Sequence, residues 1–156
     1  MNQTQTHTTQ TLTIKTLKTW RDHDGGVAYQ ATLALDGRTV GQVTEDGYGG
    51  VLLYNIARPD APRWTAYLAT LPLAEPYQDV AAERIEALVG AFLEAREAVR
   101  FQKRLAKACA TKTVFRLETD PVAEYRTLNA PFSDRVRQFL VGKYGTAVVI
   151  LNTPLA

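Results

Sequence analysis

A glycine-rich run, Asp46-Gly47-Tyr48-Gly49-Gly50, follows the pair Asp36-Gly37 by nine residues and is the first candidate for a binding site. Glycines in succession let the backbone turn several N–H groups into one concavity, and such a concavity holds a phosphate or carboxylate through fixed partial positive charges. An anion cradle at Asp46, Gly47, Tyr48, Gly49 and Gly50 is therefore one reading. Three features weigh against it. The run lacks the Lys-Ser/Thr that completes a P-loop, it lies between extended segments rather than before a helix, and Glu45 and Asp46 would repel an incoming anion. The competing reading, a wide turn or bulge that displays Tyr48 at its tip, fits the ordinary use of glycine better.

A second pattern is cationic. Between residues 96 and 116 seven bases (Arg96, Arg100, Lys103, Arg104, Lys107, Lys112, Arg116) stand against Glu97 alone, whereas residues 79–95 carry four acids against Arg84. Arg96, Arg100, Lys103 and Lys107 recur at helical spacing, with Arg104 beside them, and form a stripe that could follow a phosphate backbone. Cations near a helix C-terminus also complement the macrodipole, and no nucleic-acid-binding motif accompanies the stripe.

Other reactive chemistry is thin. Zinc wants four N or S ligands, and this chain has two histidines (His7, His23) and one cysteine (Cys109). Asp22, Asp24, Glu45 and Asp46 do not follow the spacing of a calcium loop and read as turn acids bonded to their own backbone. No nucleophile elbow is present. Cys109, at the end of a basic helix, could have a lowered pKa, but a small buried hydrophobe is the expectation. Trp20, Tyr29, Trp64, Tyr67 and Tyr77 read as core or core-edge aromatics. No catalytic residue, cofactor or metal is assigned.

The elements that must position these groups follow from periodicity. Residues 1–10 have no apolar pattern and are expected to be a flexible tail. Residues 11–20 alternate as a strand with Leu12, Ile14 and Trp20 on one side, and residues 27–35 have the clearest period of two. Asp36-Gly37 is a type I′ pair, which predicts an antiparallel return over residues 38–44. Residues 51–56 predict another strand. Asp60-Ala61-Pro62 starts a short helix, with Asp60 as cap, Trp64, Tyr67, Leu68 and Leu71 on one face, and Pro72 as its end.

Asp79 opens the longest helix, whose core stripe is Ile85, Leu88, Phe92, Ala95 and Val99, widened by Val89. Phe101, Leu105 and Ala108 lie on the opposite side, because nine residues at about 100° each bring Phe101 half a turn round from Phe92. The helix must kink or its last turns must meet a second partner. Strands over 112–118 and 124–128 flank an Asp120-Pro121 turn. A helix then starts at Ser133, presents Val136, Phe139, Leu140 and Tyr144, and ends at Gly145, before a closing strand over 147–151.

At 156 residues and 46% hydrophobic content, the chain has the size and composition of one globular domain, folding without disulfide or structural metal. Its net charge of +2 names no acidic partner. Without an apolar leader or a run near the ~20 residues of a membrane-spanning helix, a cytoplasmic protein with no membrane contact is expected.

The pattern Tyr29-x-Ala31-Thr32 to Asp36-Gly37, then Gly41, then Asp46-Gly47-x-Gly49-Gly50, resembles a loosely defined set of small uncharacterised bacterial and phage proteins. The likeness covers residues 11–54 best, and the stretch 125–144 with Asn129-Ala130-Pro131-Phe132 is similar more faintly. Members often carry His or Gln where this chain has Tyr48, so no imidazole role transfers. The resemblance implies a phage or mobile-element context and no reaction.

The fold expectation is α+β: an N-terminal antiparallel β-meander packed on a long amphipathic helix, then a C-terminal β-(β)-α-β segment that extends the first sheet or builds a small second one, residues 11–156 forming a single domain. The leading functional expectation is a small non-catalytic binding protein whose glycine-rich loop meets a protein partner. The alternatives are a nucleic-acid binder using the basic face 96–107, and a nucleotide- or phosphoester-binding protein or enzyme with residues 46–50 as anion cradle. No motif encodes the partner's identity or an oligomeric state.

Overall fold

The computed structural model describes residues 10–21, 25–72 and 78–152. Apart from Gln10, the expected tail lies outside them, as do Asp22, His23, Asp24 and Tyr77. Contacts gather the chain into two compact units, Met1–Glu94 and Ala95–Ala156. The architecture is α+β.

The first unit is built on a four-stranded antiparallel meander of β1 (Leu12–Arg21), β2 (Val27–Leu35), β3 (Arg38–Glu45) and β4 (Leu53–Ile56), in that spatial order. The β2–β3 hairpin closes through Asp36 (φ 49°) and Gly37 (φ 78°), the two positive angles that a type I′ turn requires. Asp36 also anchors its surroundings: Thr11 N donates to its Oδ1 at 2.8 Å and Arg63 Nη2 to its Oδ2 at 3.1 Å. These bonds, the Thr11 amide first, hold its carboxyl below the usual range.

Strand β1 departs from its simple alternation. Ile14 faces Leu33 and Thr16 faces Thr32, so two steps on β1 match one on β2, and Lys15 is the extra residue of a bulge. A one-residue slip exchanges the faces of all that follows. Leu12, Ile14 and Leu17 join the core, while Trp20 stands opposite Ala28 on the face turned away from it. The expected grouping of Trp20 with Leu12 and Ile14 is thus overturned.

Against the inner face pack α1 (Ala61–Leu68) and the first turns of α2 (Val80–Cys109). Trp64 and Tyr67 from α1, and Ile85 and Val89 from α2, meet Tyr29, Ala31, Leu33, Leu35, Val40 and Val43 of the sheet. Asp60 occupies the N-cap position of α1 without a cap bond, because it ends a 3₁₀ turn with helical angles (φ −99°, ψ −5°) instead of the extended ones a cap needs. Its carboxylate pairs with Arg38 at 3.0 Å. The helix ends at Leu68, short of Pro72. Asp79 does cap α2, its Oδ1 accepting from Ala82 N at 3.0 Å.

The second unit holds a separate three-stranded sheet in the order β6-β5-β7, with β5 (Thr113–Leu117) antiparallel to both β6 (Arg126–Leu128) and β7 (Val148–Ile150). Asp120 fixes the β5–β6 turn by accepting from Leu117 N and from Arg126 through two nitrogens, at 2.8, 2.9 and 2.7 Å, which lowers its carboxyl pKa, the Arg126 bond foremost. Helix α3 (Asp134–Tyr144) begins with Val136 N donating to Ser133 Oγ and ends at Gly145 with φ 66°. Of its predicted apolar face Leu140 is buried, whereas Phe139 is exposed beneath Lys143, 6.0 Å from the ring centre.

Helix α2 is one element of 30 residues. Its core stripe runs through Ile85, Leu88, Val89 and Phe92, but Ala95 and Val99, expected to prolong it, are exposed. The opposite side becomes useful in the second unit, where Phe101 packs on Tyr125 at 5.8 Å between ring centres. The last turns meet a second partner, one of the two outcomes the rotated pattern allows.

Candidate functional site

The glycine-rich run connects β3 to β4 at the end of the meander where β1 also turns into β2, since Thr44 pairs with Leu53 and Arg21 with Val27. Gly47 (φ 93°) and Gly49 (φ 69°) adopt left-handed angles that bend the chain back on itself. The resulting concavity is filled from within. Glu45 Oε1 accepts from Gly47 N at 3.0 Å and Gly49 N at 3.2 Å, and Asp46 Oδ1 accepts from Tyr48 N at 3.0 Å. Backbone N–H groups do converge on a carboxylate here, but it is the chain's own. Of the five residues named for this loop, Gly47, Tyr48 and Gly49 have their donors engaged, Asp46 is an internal acceptor, and Gly50 completes the turn.

Beside the exposed Asp46, the large side chains turned outward in and next to the closed loop are aromatic and aliphatic. Tyr48 is 65% exposed, Val51 84% and Leu53 65%, and at the same end of the sheet Trp20 is 47% and Val27 52% exposed. Leu53 shares the outer face with Thr44, Gln30 and Lys18, its neighbours in register across the four strands. At roughly 4.8 Å between strands, β1 and β4 are about 14 Å apart, so Trp20 and Leu53 bracket a span suited to contact with another surface.

Behind the loop lie two tyrosines. The Tyr29 hydroxyl is buried with no hydrogen-bond partner, and its pKa is pushed up to about 12 by burial first, then by Glu86 and Glu45. Tyr54 donates to Asp79 Oδ2 at 3.5 Å and is likewise raised, by burial and then by Asp79. Both hold their protons, so neither serves as a base near neutral pH. Among the described residues no group of three or more His, Cys, Asp or Glu could hold a metal ion.

The basic face belongs to the second unit. Arg100, Lys103, Arg104 and Lys107 are exposed and Arg96 is half-buried. The stripe is not uniform: Glu97 takes Arg104 at 2.8 Å and lies 3.9 Å from Arg100, which lowers the Glu97 carboxyl pKa, through the Arg104 bond above all. Past these pairs, Arg104, Lys107, Ala108, Thr111, Lys112, Tyr125 and Thr127 line an open groove of about 360 Å³. Only Arg104 and Lys107 of this group were candidate site residues from sequence. Lys112 was visible there as part of a basic run, but Tyr125 and Thr127 join it only through the β5–β6 hairpin.

Cys109, beside the groove, has its thiol pushed up by burial, opposite to the lowering a basic helix end would produce. Its Sγ lies 3.7 Å from the Leu151 carbonyl oxygen. Asn152, unremarked in the sequence, joins these elements: its Oδ1 accepts from Val114 N, and its Nδ2 donates to Cys109 O at 3.2 Å and Lys112 O at 2.7 Å.

Among the described residues no helix is long and apolar enough to cross a membrane. No family model matches the chain, and no curated protein or solved structure is significantly similar to it.

Proposed function

We propose that this is a small non-catalytic binding protein that docks a protein partner through the loop 46–50 and the apolar residues around it. The observation that carries the reading is the internal capture of the loop's N–H groups by Glu45 and Asp46, which pre-shapes the loop and leaves Tyr48, Val51 and Leu53 as its outward chemistry. A rigid aromatic offered on a closed loop suits an interface anchor, because little conformational entropy is lost on contact. The cytoplasm, and a phage or mobile-element setting, complete the proposal; the lone cysteine and the resemblance of residues 11–54 favour them. The test is quantitative recovery of one partner from the native host by wild-type protein and by Tyr48→Ala and Leu53→Asp variants. Loss of that partner by about tenfold or more, with unchanged circular dichroism, supports the proposal. Equal recovery by all three, or a chemical turnover abolished by Asp46 or Tyr48 substitution, overturns it.

Nucleic-acid binding is the second reading, favoured by the exposure of Arg100, Lys103 and Lys107 on one helix face. It requires affinity that falls steeply with salt, and a shallower salt slope when Arg100 and Lys103 are replaced by Ala.

A further inference from the structure

The groove in the second unit combines features that the loop reading does not use. Lys107 and Lys112 both line it, and among the described residues neither makes an ion pair with a carboxylate. The ordinary explanation for bases at this position is that they complement the negative end of α2. Four carbonyls there, those of Ala106, Ala108, Cys109 and Lys112, already have donors. Ala110 N bonds to Ala106 O, Thr111 N and Lys112 N bond to Ala108 O, and Asn152 Nδ2 serves both Cys109 O and Lys112 O. With no carboxylate paired to either lysine among the described residues, the two ammonium groups are hydrogen-bond donors available beside two hydroxyls, Thr111 and Thr127.

Two ammonium groups, a guanidinium shared with Glu97 and two hydroxyls suit a tetrahedral oxyanion, which accepts several charge-assisted hydrogen bonds at once. The volume, about 360 Å³, exceeds what a lone phosphate needs and falls within the range of small-molecule sites. Tyr125, held by Phe101 at 5.8 Å, adds an aromatic wall that a planar group can meet. We infer that this groove binds a nucleoside phosphate, its phosphoryl group on Lys107 and Lys112 and its base against Tyr125. Glu97 opposes binding by holding Arg104.

The test uses the full chain in calorimetric titrations with AMP, ADP, adenosine and inorganic phosphate. Saturable binding of AMP or ADP, weaker binding of inorganic phosphate and none of adenosine is expected. Lys107→Ala with Lys112→Ala should weaken the nucleotide by at least about tenfold, the effect of losing one charge-assisted bond. Tyr125→Ala should weaken the nucleotide but not inorganic phosphate, and Glu97→Gln should tighten both by a few-fold by releasing Arg104. Tyr48→Ala, and Lys103→Ala, should change nothing, which separates this site from the docking loop and from the outer basic face. Absence of saturable nucleotide binding, nucleotide binding undiminished by the double lysine variant, or binding of single-stranded oligonucleotides without mononucleotides overturns the inference.

Discussion

The loop between β3 and β4 and the groove beside the end of α2 deal with polar groups in opposite ways. In the loop, acids adjacent in sequence bond to the N–H groups that the glycines turn inward, so the large side chains left outward beside Asp46 are aromatic and aliphatic. In the groove, backbone and Asn152 serve four of the carbonyls around the helix end, and Lys107 and Lys112, paired with no carboxylate among the described residues, have charge to offer. Residue order already favours a turn that displays Tyr48 over an anion cradle, whereas it assigns the lysines no more than a place on a basic helix end. The decisive quantity in both places is which polar groups already have partners.

The largest expected effect tests the cap at the end of α2. Asn152→Ala removes three hydrogen bonds that tie α2 to β5 and should lower the stability of the second unit by about 3 kcal/mol, since unsatisfied buried backbone groups cost about 1–3 kcal/mol each. Urea unfolding followed by near-ultraviolet circular dichroism measures it, and a loss below about 0.5 kcal/mol would show that these bonds do not hold the end of α2.

Next in size is Glu45→Ala. It strips the shared acceptor from Gly47 and Gly49 and should cost about 1 kcal/mol, with faster amide hydrogen exchange confined to the loop. Unchanged exchange at Gly47 and Gly49 would mean that the loop keeps its shape without the carboxylate, and the contrast with the groove would fail.

The smallest effect concerns pH. Tyr29 is raised in the fold from 10.0 to about 12, so the native state keeps a proton that the unfolded chain gives up. Its contribution is whole below pH 10 and is lost as pH rises through the folded value, stability falling between about 10 and 12. Tyr29→Phe removes an unpartnered hydroxyl, should change neutral stability by less than about 1 kcal/mol, and should flatten that alkaline decline. Thermal melts at pH 8, 10 and 11 would register it, and an identical alkaline slope in both proteins would exclude Tyr29 as its source.

Where a feature depended on neighbours in the chain, it could be read from residue order. The Asp36-Gly37 turn, the alternation of β2, the start of α2 at Asp79 and both ends of α3 all follow from angles and caps settled within a few residues. The rotation of the apolar stripe from Phe92 to Phe101 likewise announced that the end of α2 packs differently. The face taken by Trp20 was hidden because one bulged residue at Lys15 reverses alternation without any local signature. Asp60 stands at the expected N-cap position but makes no cap bond, because the preceding 3₁₀ turn gives it helical angles.

Residue order by itself therefore determined the meander, the long helix and the small second sheet's elements, and it marked residues 46–50 and 96–107 as unusual. Long-range packing alone brought Asn152 to the end of α2 and set Lys107 and Lys112 in one groove with Tyr125 and Thr127. Backbone angles and periodicity are set over short stretches of chain. Hydrogen-bond satisfaction is set by every group that arrives in the neighbourhood, including one 40 residues beyond Lys112.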